Sequence, residues 1–148
     1  MSTRQITGEI EIRQSMDELR RNNMYPDIRQ LAIDLGEASD YDERLDVFDR
    51  NGWDKNHIAY IRSSKPRFHG YNNRVAAEYI GSKNRARVRS DILCLESYSR
   101  DDMIDAAVIV TTRESDANLS WLDQDLNDGI LNDYIFDVPL YIIETRSM

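Results

Sequence analysis

The run AAVIVTT, Ala106 to Thr112, constrains this chain more than any other stretch. It holds no charge and is built of branched and small side chains, so it offers no polar face to solvent. Such a segment reads as a strand covered on both faces in the middle of a sheet. A second apolar run, PLYII, occupies 139–143 and is entered through Pro139, where a missing N–H costs little. Between them, residues 118–134 place Leu119, Leu122 and Leu126 near helical spacing, with Trp121 alongside as a packing residue. A strand, a helix and a strand in that order predict parallel neighbours joined by a helical crossover.

The preceding segments extend the pattern. RVAAEYI, residues 74–80, alternates Val75, Ala77 and Tyr79 with Arg74, Ala76, Glu78 and Ile80, as a strand does. Residues 84–98 carry Val88, Ile92 and Leu95 along one helical stripe. His57 to Ile61 reads as a further strand, and Gly70 with Asn72-Asn73 as a turn. Upstream, helices are predicted over 10–21, on Ile12, Met16 and Leu19, and over 26–35. An acidic link over 37–43 leads to a short element that carries Leu45, Val47 and Phe48 and stops at Asn51-Gly52. The fold class expected is an α/β sandwich with a central mixed β-sheet flanked by helices.

A length of 148 residues, 41% hydrophobic, suits one domain spanning 1–148. Within it, 1–50 form a helical N-terminal portion and 51–143 the core. No stretch approaches 18 apolar residues and no signal-peptide run opens the chain, so a cytoplasmic protein without a membrane partner is expected. The only cysteine, Cys94, lies in the apolar run ILCL and reads as a buried free thiol.

Net charge is −8, yet the basic residues are concentrated. From Arg62 to Arg89 run Arg62, Lys65, Arg67, Arg74, Lys83, Arg85, Arg87 and Arg89, with Glu78 the only acid among them. Such a strip suits DNA phosphates, or an acidic face met across a dimer interface, or plain solvent. Arg85 and Arg89 fall on one helical face, while Arg87 and Asp91 form an oppositely charged i,i+4 pair.

Glu78 is the one charge inside the apolar stretch of its strand. Metal-dependent phosphodiester hydrolysis needs carboxylates converging on a divalent cation, with a lysine or similar group to position water. Two such groups two residues apart on a strand share a face. Glu78 fills the first position of that pair, but Ile80 fills the second and neither binds metal nor activates water. No glycine-rich dinucleotide loop, no P-loop and no H-E-x-x-H occurs, and His57 and His69 lack an evident serine and acid arrangement.

The stretches NRVAAEYIGS, RSDIL and DMIDAAVIVTT, with NGW at 51–53 before them and FDVPLYII at 136–143 after, resemble the BamHI/BglII-like restriction endonucleases of the PD-(D/E)xK nuclease superfamily. The resemblance covers residues 51–143 and implies a restriction-endonuclease-like core, homodimers that bracket a duplex, and Mg or Mn as cofactor of an active member. It puts Glu78 on the family's catalytic glutamate, Ile80 where a glutamine, glutamate or lysine is expected, and His69 where the metal-binding aspartate is expected. The active site is thus degenerate. A residual site would use Glu78 and His69 as metal ligands, for Mg, Mn or zinc, with Lys83 folding back into the lysine role or Asp54 replacing the aspartate.

Three functions remain open at this point. The first is a noncatalytic nuclease-fold protein, without cofactor, that binds DNA or protein. The second is a divergent metal-dependent deoxyribonuclease. The third is an acidic inhibitory or structural protein that binds a basic protein partner.

Overall fold

The computed structural model describes residues 4–22, 25–58, 67–81, 83–135 and 137–147. In chain order the elements are β1 (Arg4–Ile12), α1 (Ser15–Arg21), α2 (Tyr25–Glu37), α3 (Tyr41–Arg50), β2 (Asp54–Ile58), β3 (Arg67–Asn72), β4 (Val75–Tyr79), α4 (Arg85–Arg100), β5 (Ala106–Thr112), α5 (Leu119–Asp128), a 3-10 turn (Leu131–Asp133) and β6 (Leu140–Ser147).

The strands form one mixed sheet in the order β1-β6-β5-β4-β3-β2. β4, β5 and β6 are mutually parallel, with α4 and α5 as the crossovers, and antiparallel strands flank them on both sides. Every residue of β5 is buried, as its uncharged sequence requires. Alternation along the strands then splits the core in two. Ala76, Ile80, Ala107, Ile109, Leu140 and Ile142 pack with α4 and α5, through Val88, Ile92, Leu95, Leu122 and Leu126. Val75, Ala77, Val108, Val110, Tyr141 and Ile143 pack with α1, α2 and α3, through Leu19, Leu31, Leu35, Val47 and Phe48. Full burial of one such Leu, Ile or Phe contributes about 1.5–3 kcal/mol.

Local chemistry fixes where the helices begin. Asp40, Asn84 and Asn118 are N-caps whose side chains accept the N–H groups of Glu43, Arg87 and Trp121 at 2.8, 2.9 and 3.0 Å. Glu43 also accepts the Ser39 N–H, so the acidic link read over 37–43 already contains the start of α3. In β3, Gly70 lies against the Phe48 ring, and a Cβ there would run into the ring carbons.

Several expectations need correction. The helix predicted from residue 10 begins at Ser15, and the N-terminal portion is not wholly helical because residues 4–12 form β1. Ile10 and Ile12 alternate with Glu9 and Glu11, and Arg13 and Gln14, both at φ 57°, break the chain before α1. β3 runs through Gly70, part of the expected turn, while the reversal falls on Asn73, as the Asn72-Asn73 pair predicts, and on Arg74, both at positive φ. The helix expected over 118–134 stops at Asp128 and Gly129 follows in extended conformation. Cys94 is exposed, because helical rotation turns Ile92 and Leu95 inward and Cys94 away. Of the strand expected over 57–61, residues 59–61 lie outside the described residues. No helix among the described residues is long and apolar enough to cross a membrane.

Candidate functional site

Glu78 sits in β4 on the side facing α4, between Ala76 and Ile80. The antiparallel register of β3 and β4, which pairs Gly70 with Ala77, carries His69 alongside it. There the two side chains take over the hydrogen bonding between the strands. A Glu78 carboxyl oxygen accepts the His69 N–H at 3.4 Å, and the His69 Nδ1 accepts the Tyr79 N–H at 3.1 Å. The second Glu78 oxygen lies 3.1 Å from the same Nδ1. Tyr41 presents its ring edge-on to the imidazole at 5.9 Å, and Arg44 stacks over Tyr79 at 4.6 Å.

Lys83, just beyond the end of β4, folds back over this pair. Its Nζ is 3.9 Å from Glu78 and 2.6 Å from the Asp91 carboxylate on the second turn of α4. Arg87 Nε approaches the other Asp91 oxygen at 3.6 Å. Burial pushes the Glu78 carboxyl up to about 8, with Asp91 adding to the rise and Lys83 opposing it. Burial, and then the charge of Lys83, push the His69 imidazole down to about 4. Both groups are neutral at pH 7, so the contact between them is not an ion pair. The charged members of the cluster are Lys83 and Asp91, with Arg87 at the rim.

The arrangement does not fit the divalent cation that the family resemblance implies. Ile80 is 1% exposed and packed into the α4 layer, which leaves its strand position without a ligand. The His69 Nδ1 lone pair is engaged by a backbone N–H. An ammonium already stands beside Glu78. Asp54 lies exposed on the edge strand β2, opposite Tyr71. Among the described residues no group of three His, Cys, Asp or Glu is placed to hold a metal.

Among the described residues, the basic strip does not fold as one surface. Arg74 binds Asp105 at 3.0 Å and Asp102 at 2.8 Å. Arg85 donates to the Asp116 carbonyl at 2.8 Å and stacks over Trp121 at 5.2 Å. Arg89 stacks over the same ring and holds Asp125 by two hydrogen bonds of 2.9 and 3.0 Å. Lys83 is turned to Asp91 and Glu78, and Arg87 lies at the rim with its side chain 68% exposed. Arg62 and Lys65, and the side chain of Arg67, lie outside the described residues.

Sequence reasoning brought Glu78, His69 and Lys83 into one group and missed Asp91, which it read only as the helical partner of Arg87. The missed signal is positional: the first turns of a crossover helix lie over the end of the strand that feeds it. The Arg89–Asp125 pair joins α4 to α5 across 36 residues and had no local signal.

No family model matches the chain, and no curated protein is detectably similar to it in sequence. Among solved structures, the restriction endonuclease BglII in complex with a DNA 16-mer superposes with a TM-score of 0.77 at 15% identity, over 97% of this chain and 77% of that one. The chain therefore has a restriction-endonuclease-like sandwich fold, a mixed sheet flanked by helices.

Proposed function

We propose that this chain is a noncatalytic nuclease-fold protein that works as an interaction module, with a protein as its partner. The observation that carries the reading is the state of the Glu78 group. Glu78 and His69 serve as hydrogen-bond partners of the strand backbone, Ile80 is packed in the core, and Lys83 contributes the local positive charge. Hydrolysis of a phosphodiester would need these groups free to meet a cation, a water molecule and a phosphate. Partner class follows from charge. Arg74, Lys83 and Arg89 are matched by acids of the same chain. The cleft of about 480 Å³ between α2 and α3 is lined by Asp34, Glu37, Glu43, Asp46 and Asp49, with Arg50 the one cation among its described lining residues. That lining favours a basic protein over a phosphate backbone.

Duplex DNA is the second reading, and the fold match to an endonuclease in complex with DNA favours it. In that reading the protein acts as a homodimer and Arg87 is among the phosphate contacts. Incubation of a mixed duplex library with magnesium, manganese or no metal, for wild type and Glu78→Ala, separates the alternatives. The expected result is no cleavage by either protein and no salt-sensitive retention of the duplex. Retention that weakens steeply with salt replaces the protein reading with the DNA reading. Metal-dependent cleavage by wild type, lost in Glu78→Ala, overturns both.

A further inference from the structure

Strand β1 is held by contacts that a second copy of the chain can supply equally well. Among the described residues its backbone pairs with β6 alone, at the edge of the sheet. Around that ladder Thr7 Oγ1 donates to the Glu144 carboxylate, Glu9 receives the Tyr141 hydroxyl and the Arg29 guanidinium, and Arg4 reaches Thr145 at 3.2 Å. Ile10 and Ile12 pack on the layer that contains α5. Each of these is a pairing across a surface, and none requires that β1 and its acceptors belong to one molecule.

The link that makes them one molecule is strained. Between Ile12, the last residue of β1, and Ser15, the first of α1, lie only Arg13 and Gln14, both at φ 57°. In that region the Cβ of an L-residue crowds the following carbonyl oxygen, and glycine or asparagine is the usual occupant. Both residues are exposed, and Gln14 caps α1 without a side-chain hydrogen bond that would offset the conformation. Asn73 and Arg74 are also at positive φ, but they close the β3–β4 hairpin, where such a turn matches the strand twist, and Arg74 is held by Asp102 and Asp105. No hairpin is closed at Arg13 and Gln14, because a helix follows.

We propose that the chain exchanges β1 with a second copy of itself. The link opens to an extended conformation, and each β1 pairs with the β6 of the other copy in the register it has in the monomer. The contacts of the strand are the same in both forms. Opening removes the left-handed residues of both links, and this gain opposes the freedom lost on association. An extended link of two residues spans about 7 Å, so the two copies meet where β1 ends and α1 begins. The inference does not rest on the reading of the Glu78 group.

The test is the oligomeric state of the whole chain after long incubation at millimolar concentration, read by size-exclusion chromatography with light scattering. Wild type is compared with Arg13→Gly/Gln14→Gly and with Gln14→Pro. Glycine accepts positive φ and proline cannot adopt it, so the variants should move the equilibrium in opposite directions. The dissociation constant of the dimer is expected to rise by on the order of 100-fold in the glycine double variant and to fall by on the order of 10-fold in Gln14→Pro. A second readout identifies the exchange. Gln5 in β1 lies opposite Arg146 in β6, at a spacing that suits a disulfide. In a Cys94→Ser background, oxidised Gln5→Cys/Arg146→Cys should run on a denaturing gel as single chains from the monomer peak and as covalently linked pairs from the dimer peak. Absence of a wild-type dimer overturns the inference, as does a dimer strengthened in the glycine double variant or one whose oxidised chains separate on the gel. Should Gln14→Pro not fold, Gln14→Val, β-branched and disfavoured at positive φ, is read by the same criteria.

Discussion

Glu78 in β4 and Asp125 in α5 are both 6% exposed, and their carboxyl groups are driven in opposite directions. Burial lifts Glu78 to about 8. Asp125 is held below the usual carboxylate range, first by its hydrogen bonds from Arg89 and then by the charge of that guanidinium. The difference lies in depth and in geometry. Asp125 sits just beneath the surface, receives both arms of a planar guanidinium and also accepts the Leu131 N–H at 3.4 Å. Glu78 lies deep beside a neutral imidazole, and the nearest cation is a point charge at 3.9 Å that is closer to another acid. A carboxyl group ionises inside a protein when donors surround it, and a cation in the neighbourhood does not suffice.

The strongest way to break the comparison is to remove the well-paired acid. Asp125→Ala strips Arg89 of both hydrogen bonds and leaves the Leu131 N–H unmatched; with a discount for the shallow position, a loss of about 2 kcal/mol is expected. Urea unfolding with an unchanged m-value would measure it.

The second way is pH. A Glu78 carboxyl that titrates near 8 when folded contributes stability that is complete below its ordinary value of 4.5 and lost as pH rises through 8. The His69 imidazole, lowered to about 4, contributes stability that is present above 6.5 and lost as pH falls through 4. The two oppose each other between 4.5 and 6.5. Above 6.5 Glu78 acts alone, and unfolding free energy should fall by on the order of 1 kcal/mol between pH 6.5 and 8. Glu78→Gln should abolish that fall, and a fall retained in the variant would show that another group causes it. Smallest of all is the effect of Glu78→Gln at pH 7 itself. The amide keeps an acceptor for the His69 N–H and mimics the protonated carboxyl, so the cost should stay under about 1 kcal/mol. A loss as large as that of Asp125→Ala would mean that Glu78 is ionised and paired after all.

What the sequence determined is the part of the molecule governed by short-range pattern. The uncharged run 106–112 demanded a strand buried on both faces, and the alternation around Glu78 assigned Ala76 and Ile80 to one layer and Val75, Ala77 and Tyr79 to the other. Resemblance in the stretches from Asn51 to Ile143 pointed to the fold that superposition then gave. Glu78 stood out because a single charge in an apolar strand is costly unless it is matched. The tertiary structure decided everything that depends on contact between distant segments. β1 joined the sheet only because β6 offered it an edge, since its Ile-Glu alternation is too short to outweigh the helical spacing of Ile12, Met16 and Leu19. The arginines that look in sequence like a phosphate-binding strip meet acids up to 36 residues away, and charge in one dimension cannot say which partner folding will bring. The same holds for Asp91. Its spacing to Arg87 is written in the helix, while its hydrogen bond to Lys83 exists only because α4 crosses the end of β4.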